Sequence, residues 1–375
     1  MAEKFSLKDQ LFNAETTGRL AAEYAAGLPG FDAARFVSEA VAGFAERELL
    51  ARMEWMADCL ETQLADHFPT MADQLEAAMP APLDTGLQDD DFGHFIHGLP
   101  GILAVRHGLE DHRDRALDLL CAATKRFSME FYIRPFLNRW PEQTLARLAL
   151  WQGDENYHLR RLVSEGTRPK LPWAKAVTLD SDQTLPLLDQ LHADPTRYVT
   201  RSVSNHLNDI AKTQPDLVVD VLKGWTKAGK QDARELAWMS RHALRTLVKQ
   251  GHVGALEMLG YRGDVPVAAQ LTLGADRYCI GDRLEIGCAL TADHDLPVMV
   301  DYRLEFARAG GKTAQKVFKL KVGKIAAGTP LALKKNHHLK ADATTFTLHP
   351  GAHRVILQVN GVDVAEAGFE LTAPA

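Results

Sequence analysis

The chain has few of the features that would assign it quickly to a class. Its four cysteines among 375 residues, Cys59, Cys121, Cys279 and Cys288, form no CxxC pair and no zinc-like Cys/His spacing. Free thiols in a reducing compartment are expected, and a disulfide framework is not. No stretch approaches the roughly 18 consecutive apolar residues of a membrane span, and the first ten residues lack the apolar run of a signal peptide. A cytoplasmic location away from any membrane follows as an expectation. GxSxG, HExxH and the dinucleotide GxGxxG are all missing. Gly310-Gly311-Lys312-Thr313 resembles the end of a phosphate loop, but position 306 is Phe and the surroundings are strand-like, so a hairpin turn is the better reading. His94 and His97 share a spacing that a metal uses, yet no further ligands match them, and neither metal nor cofactor is expected.

Charge is unevenly spread. Residues 1–120 hold 9 Lys/Arg against 22 Asp/Glu, residues 121–265 hold 21 against 16, and residues 266–375 hold 13 against 11. The net charge of −6 thus arises in the first third, and the middle is mildly positive. A positive middle suits a polyanionic partner, although the bias is modest.

What is present is a register. Arg161, Arg201 and Arg241 recur at intervals of 40 residues, each within a helix-like stripe of polar residues opposite an apolar one. In the middle copy, at about 100° per residue, Val199, Val203, Leu207 and Ile210 share one side while Arg201, Asn205, Asn208 and Asp209 lie nearly opposite. The copy before it places Glu165 where the middle copy has Asn205, and the copy after it continues the stripe as Arg241, Arg245 and Lys249. A period near 40 with paired helices is that of HEAT and armadillo units, whose neighbours stack because one unit alone cannot bury its apolar face. Three successive stripes are then expected to line one surface.

Before this array, residues 1 to about 85 carry helical patterns, with apolar positions from Phe36 to Met71 among them, that fit two or three helices, and Pro80, Pro82, Asp84 and Gly86 precede an acidic cluster, Asp89-Asp90-Asp91. Past Gly263 the pattern turns to alternating or β-rich runs, at 268–272, 283–290, 298–306 and 353–359, with about seven strand candidates in all. The expected fold is mainly α: a HEAT-like helical repeat solenoid over residues 1–262, followed by a smaller all-β immunoglobulin-like sandwich over 263–375.

Residues 125–250 combine carboxylates, arginines and aromatics. Glu130 lies in SMEFYI, an apolar context in which an acid must be paired, raised in pKa or used. Glu165 precedes GTRPKLPW, a helix end leading to a Pro-braced loop with Trp173. Acids beside an aromatic wall suit a cationic ligand, and flanking bases suit phosphates around it. For Arg161, Arg201 and Arg241 a ladder of ion pairs between neighbouring units competes with this reading. For Glu130 it is a structural ion pair, and for Trp173 ordinary packing.

RSVSNHLNDI (201–210), RRLVSEGTRP (160–169) with Leu171-Pro172-Trp173, MEFY (129–132) and the β-rich appendage together resemble the AlkC branch of the bacterial DNA alkylation-repair glycosylases, in the AlkC/AlkD superfamily. The resemblance implies a monofunctional glycosylase that hydrolyses the N-glycosidic bond of cationic bases such as 3-methyladenine and 3-methylcytosine, with no lysine nucleophile and no flipping of the base into a deep pocket. It implies that Glu130, Glu165 and Asp209 form the acidic site, with Asp209 the leading candidate to position water or stabilise the sugar cation. Trp173 and Tyr132 would contact the lesion. Arg161, Arg168, Arg201, Arg241, Arg245 and Lys249 would face DNA. Lys334, Lys335, His337 and His338, in a segment 334–340 read as a loop, would grip DNA from the sandwich. The implied partner is double-stranded DNA carrying alkylated bases; no protein partner is implied, and a monomer is expected. A non-catalytic HEAT-repeat scaffold that binds DNA or protein is the alternative.

Overall fold

A computed structural model describes residues 6–86, 92–308, 313–341 and 347–373. The acidic cluster Asp89-Asp90-Asp91 and the Gly310–Lys312 turn lie outside the described residues. The chain forms two compact units, Met1–Ile210 with Trp225–His242, and Ala211–Gly224 with Ala243–Ala375.

The first unit is helical. It opens with α1 (Leu7–Leu11), α2 (Ala14–Gly27), α3 (Ala33–Ala42), α4 (Leu49–Glu61) and α5 (Phe68–Ala77). Two or three helices were expected over this stretch. Five form, and of those beyond the expected number α2 is Ala-rich and starts at a capping box in which Asn13 accepts from Glu15 and Thr16. A short 3₁₀ turn then leads to α6 (Leu99–Gly108), α7 (Arg113–Thr124), α8 (Ile133–Arg139), α9 (Pro141–Trp151) and α10 (Tyr157–Gly166). Pro141 opens α9 at the position where its missing N–H is tolerated. Asn156 caps α10 by accepting from the His158 amide at 2.9 Å.

After α11 (Ser181–Leu191) come α12 (Arg197–Ile210), α13 (Pro215–Ala228) and α14 (Ala233–Ala243). The three register arginines therefore sit on α10, α12 and α14, and α12 packs on α10 and α11. Val199, Val203, Leu207 and Ile210 are buried on α12, as the helical spacing predicts. The opposite stripe is only partly open: Arg201 and Asn205 are half-buried, whereas Asn208 and Asp209 are buried.

The third stripe does not continue as expected. Leu244, at φ −85° and ψ 0°, separates α14 from α15 (Arg245–Gln250), so Arg245 and Lys249 lie on a different helix from Arg241. α15 ends on Gly251, whose φ of 75° is the left-handed conformation of a helix stop. α15 and α16 (Val253–Met258) belong to the second compact unit, as do Ala211–Gly224.

The strands of that unit are β1 (Ala268–Leu273), β2 (Arg277–Cys279), β3 (Arg283–Thr291), β4 (Leu296–Ala307), β5 (Thr313–Ile325), β6 (Leu331–His338), β7 (Gly351–Val359) and β8 (Val362–Thr372). They form a three-stranded sheet, β1-β3-β6, and a five-stranded sheet, β2-β8-β7-β4-β5. Leu284, Ile286 and Leu290 of β3 meet Val298, Val300 and Leu304 of β4 in the core between the sheets. This is the immunoglobulin-like sandwich that the alternating runs indicated. Lys334 to His338, read as a loop from the sequence, are instead paired residues of β6 facing β3. All four cysteines are free.

Candidate active site

Three carboxylates come together from three separate elements. Glu130 lies in the turn between α7 and α8, Glu165 on the last turn of α10, and Asp209 on the last turn of α12. Two arginines tie them. Arg161 donates to Glu130 at 2.6 Å and stands 3.7 Å from Glu165. Arg168 donates to Glu165 at 2.6 Å and to Asp209 at 2.9 Å. Ser202 of α12 donates to the second Glu165 oxygen at 2.6 Å, and Ser128 shares Glu130 and Arg161 at 2.7 and 2.9 Å.

Burial by itself would raise the Glu165 carboxyl. Arg161, Arg168 and the Ser202 hydrogen bond outweigh burial and hold it below the ordinary carboxylate value. The same acids hold Arg161 firmly protonated despite its burial. Glu165, Arg161 and Arg168 are thus fixed, ionised groups in a partly desolvated place, where charge acts more strongly than in bulk water.

A recess of about 410 Å³ opens over this cluster, with Glu130, Arg161, Glu165 and Arg168 on its polar side. Phe92, Phe95, Phe127, Phe131 and Trp173 supply its aromatic side. Asp209 stands behind Arg168 and is reached through it. Trp173 is 67% exposed and has φ 64°, a left-handed backbone that a bulky side chain adopts at a cost of about 1–2 kcal/mol.

Tyr132, expected beside Trp173, is elsewhere: its ring lies against Gly101 of α6, close enough that a Cβ there would meet it at 2.1 Å, and Phe131 lines the recess instead. Arg161 and Arg168 are engaged with carboxylates rather than presented on an open face. Arg201 is half-buried, 5.8 Å over the Tyr198 ring, and Arg241 is exposed. Ion pairs between neighbouring units do occur: Arg161 with Glu130 at 2.6 Å, Arg160 with Asp194 at 2.6 Å, and Arg197 with Glu235. On the sandwich, Lys334, Lys335 and His338 are exposed. His337 instead points inward, accepting from or donating to the Tyr302 hydroxyl at 2.8 Å beside the Phe318 ring, and burial lowers its imidazole to about 4.

Sequence reasoning missed Ser202, Phe92 and Arg134. Arg134 had a signal: an arginine inside Phe131-Tyr132-Ile133-Arg134-Pro135-Phe136 must find partners if that run is buried. It is fully buried and donates to the carbonyls of Gly166, Arg168 and Lys175.

Residues 267–373 match a family model described as "Uncharacterised protein YhaZ, C-terminal Ig-like domain". The "Uncharacterized protein YhaZ" of Bacillus subtilis (strain 168) is 33% identical over 361 residues, covering 94% of this chain and 96% of the relative. Among solved structures, Pseudomonas fluorescens alkylpurine DNA glycosylase AlkC, bound to DNA containing an abasic site analog, matches at 33% identity with a TM-score of 0.80, over 98% of this chain and 100% of that one. With both units and the intervening helices aligned end to end, the chain belongs to the family of AlkC and YhaZ.

Proposed function

We propose that the protein is a DNA glycosylase that hydrolyses the N-glycosidic bond of cationic N-alkylated bases, 3-methyladenine and 3-methylcytosine among them, in double-stranded DNA. The observation that carries this reading is the convergence of Glu130, Glu165 and Asp209 beneath an aromatic-sided recess, in a chain alike over its whole length to a DNA glycosylase.

A base that already carries positive charge is a good leaving group. The enzyme has then to stabilise oxocarbenium character on the deoxyribose and direct a water to C1′, which fixed carboxylates do by electrostatics and general-base help. Glu130 and Glu165 present negative charge to the recess, and Asp209 completes the set behind Arg168. Trp173 supplies a face for the cationic base, whose attraction to an indole is about 0.5–2 kcal/mol. No lysine is needed as a nucleophile, so the product is an abasic site. Arg201, Arg241, Arg245, Lys249, Lys334, Lys335 and His338 are the candidates for phosphate contact. We place the protein in the cytoplasm, acting on DNA as a monomer.

The test is release of free 3-methyladenine from alkylated duplex DNA by the purified protein under single-turnover conditions. Release at a rate above the spontaneous one supports the reading. Binding of that DNA without release would sink it and leave the non-catalytic scaffold.

A further inference from the structure

The loop that carries Trp173 is tied at both of its ends by one side chain, Arg134. From residue 166 to residue 176 the chain has few bonds of its own: the amide of Arg168 reaches the Glu165 carbonyl at 3.3 Å and that of Ala174 reaches Leu171 at 3.2 Å. At its start Thr167 donates to the Val163 carbonyl at 2.7 Å and Arg168 reaches Glu165 and Asp209; the ties that span both ends of the segment come from α8. Arg134 Nη1 donates to Gly166 at 3.0 Å and to Arg168 at 2.8 Å, at the start of the loop. Its Nε donates to Lys175, at the end. Four residues on, Asn138 donates to Ala176 at 2.9 Å, so one face of α8 grips the loop twice.

Arg134 is 0% exposed, and its Nη2 finds no hydrogen-bond partner among the described residues. No carboxylate bonds it; three carbonyl oxygens do. Lysine would suit that site poorly, because a planar fork reaches several carbonyls at once and a point charge does not. Burying a guanidinium without an ion-pair partner is unfavourable, and a core position between α8 and α10 would pack more stably with an apolar residue. The retained arginine has another consequence. It fixes the backbone of Arg168, whose side chain bridges Glu165 and Asp209, and it fixes the far end of the segment in which Trp173 adopts φ 64°.

We infer that Arg134 is a positioning residue for the proposed excision reaction, acting as a clasp that sets Trp173 and the Arg168 bridge in register with the acids. It touches neither DNA nor the reacting atoms. The inference rests on the glycosylase reading, but the geometry of the clasp can be tested without it.

The experiment compares full-length wild type with Arg134→Gln and Arg134→Lys by three measurements: single-turnover base release at saturating enzyme, affinity for a duplex with an abasic-site analog, and hydrogen exchange of the segment 167–176. For Arg134→Gln the expected result is a fall in excision rate of at least about tenfold with affinity little changed, because misplacement lowers rate more than binding. Exchange in 167–176 should quicken by about tenfold while that of α12 stays as in wild type. Arg134→Lys should fall between. If Arg134→Gln lowers the melting temperature yet excises at the wild-type rate, Arg134 is only structural and the inference is overturned. Should Arg134→Gln not fold, Arg134→Lys carries the test, and a wild-type rate there overturns the inference. If wild type itself releases no base, the glycosylase reading fails, and exchange in 167–176 still decides whether the clasp exists.

Discussion

Arg168 holds Asp209 at 2.9 Å across 41 residues of sequence, and with its other nitrogen holds Glu165 of the preceding repeat at 2.6 Å. The contact joins the ends of α10 and α12 and places two acids from adjacent repeats on one cation. In an array whose neighbours meet mainly through apolar stripes, such a bridge fixes the relative height of two helices as well as the charge between them.

Asp209→Asn keeps the shape and one hydrogen bond to Arg168 but removes the charge. Under the glycosylase reading, single-turnover base release should fall by at least about 100-fold, the scale of a lost charge-stabilising group. Affinity for an abasic-analog duplex should stay within about threefold, because phosphate contacts dominate binding. Equal loss of both, with a collapsed melting transition, would instead mark Asp209 as part of a structural ladder.

Ser202→Ala removes the hydroxyl that donates to Glu165 and leaves one carboxylate oxygen buried with fewer partners. A destabilisation of about 1–3 kcal/mol is expected from denaturant unfolding. The Glu165 carboxyl should also titrate higher, so the acid limb of the pH–rate profile should move upward. An unchanged acid limb would show that Glu165 is not the group whose ionisation the rate reports.

Much of this was legible in the sequence, and the limits have physical causes. The period of 40 and the apolar spacing of Val199, Val203, Leu207 and Ile210 placed α10, α12 and α14, because helical periodicity is a property of consecutive residues. Glu130 stood out because an acid in apolar surroundings needs a partner, and Glu165 because it ends a helix just before the Pro-braced loop of Trp173. Their partners did not stand out, since Arg161 to Glu130 and Ser202 to Glu165 are contacts across 31 and 37 residues. Arg161 and Arg168 were read as phosphate ligands for the same reason: sequence shows a cation's presence but not which anion it meets. The break at Leu244 and the strand through Lys334 to His338 were missed because neither carries Pro or Gly punctuation and the lysines mask an alternating strand.

His206, one turn before Asp209, gives the protein a pH signature of its own. It is fully buried, its Nδ1 lies 3.1 Å from the Ser164 carbonyl, and burial lowers its imidazole from 6.5 to about 4. Below the unfolded value the unfolded chain takes up a proton that the folded one refuses, so stability falls as pH drops from about 6.5 to about 4, by roughly 3 kcal/mol for this group. Glu165 works on the opposite protonation but in the same direction. Its depressed value gives stability that is present above the unfolded carboxylate range and is lost as pH falls through the folded one. Urea midpoints measured at about pH 7, 5.5 and 4.5 should therefore decline, and His206→Gln should show a shallower decline. Parallel declines in the two proteins would mean that His206 is not the group responsible.

On the sandwich, neighbouring residues of β6 should behave in opposite ways. Lys334 and Lys335 are exposed, whereas His337 packs between Tyr302 and Phe318. Replacing both lysines by Ala should leave the melting temperature unchanged and, if they meet phosphates, reduce the slope of log affinity against log salt by about 2, near 0.9 per contact. His337→Ala should leave that slope alone and lower stability by about 1–3 kcal/mol, through a cavity beside Phe318 and an unpartnered Tyr302 hydroxyl. A salt slope that moves with His337 but not with the lysines would remove this strand from the DNA-facing surface.

Trp173 offers the sharpest separation of stability from function. It is 67% exposed, so truncation forfeits little burial, and at φ 64° a glycine relieves backbone strain that the Cβ imposes. Trp173→Gly should therefore stay within about 1 kcal/mol of wild-type stability, with relief of strain offsetting the added freedom of the unfolded chain. Trp173→Ala keeps a Cβ in the left-handed region and should be the less stable of the two. Both should lose base release to a similar extent, because both remove the aromatic face and leave the acids in place. Thermal melts of the two variants beside their single-turnover rates decide it: a Gly variant markedly less stable than Ala would show that the left-handed backbone at 173 is not a source of strain, and undiminished release would show that the indole takes no part in the site.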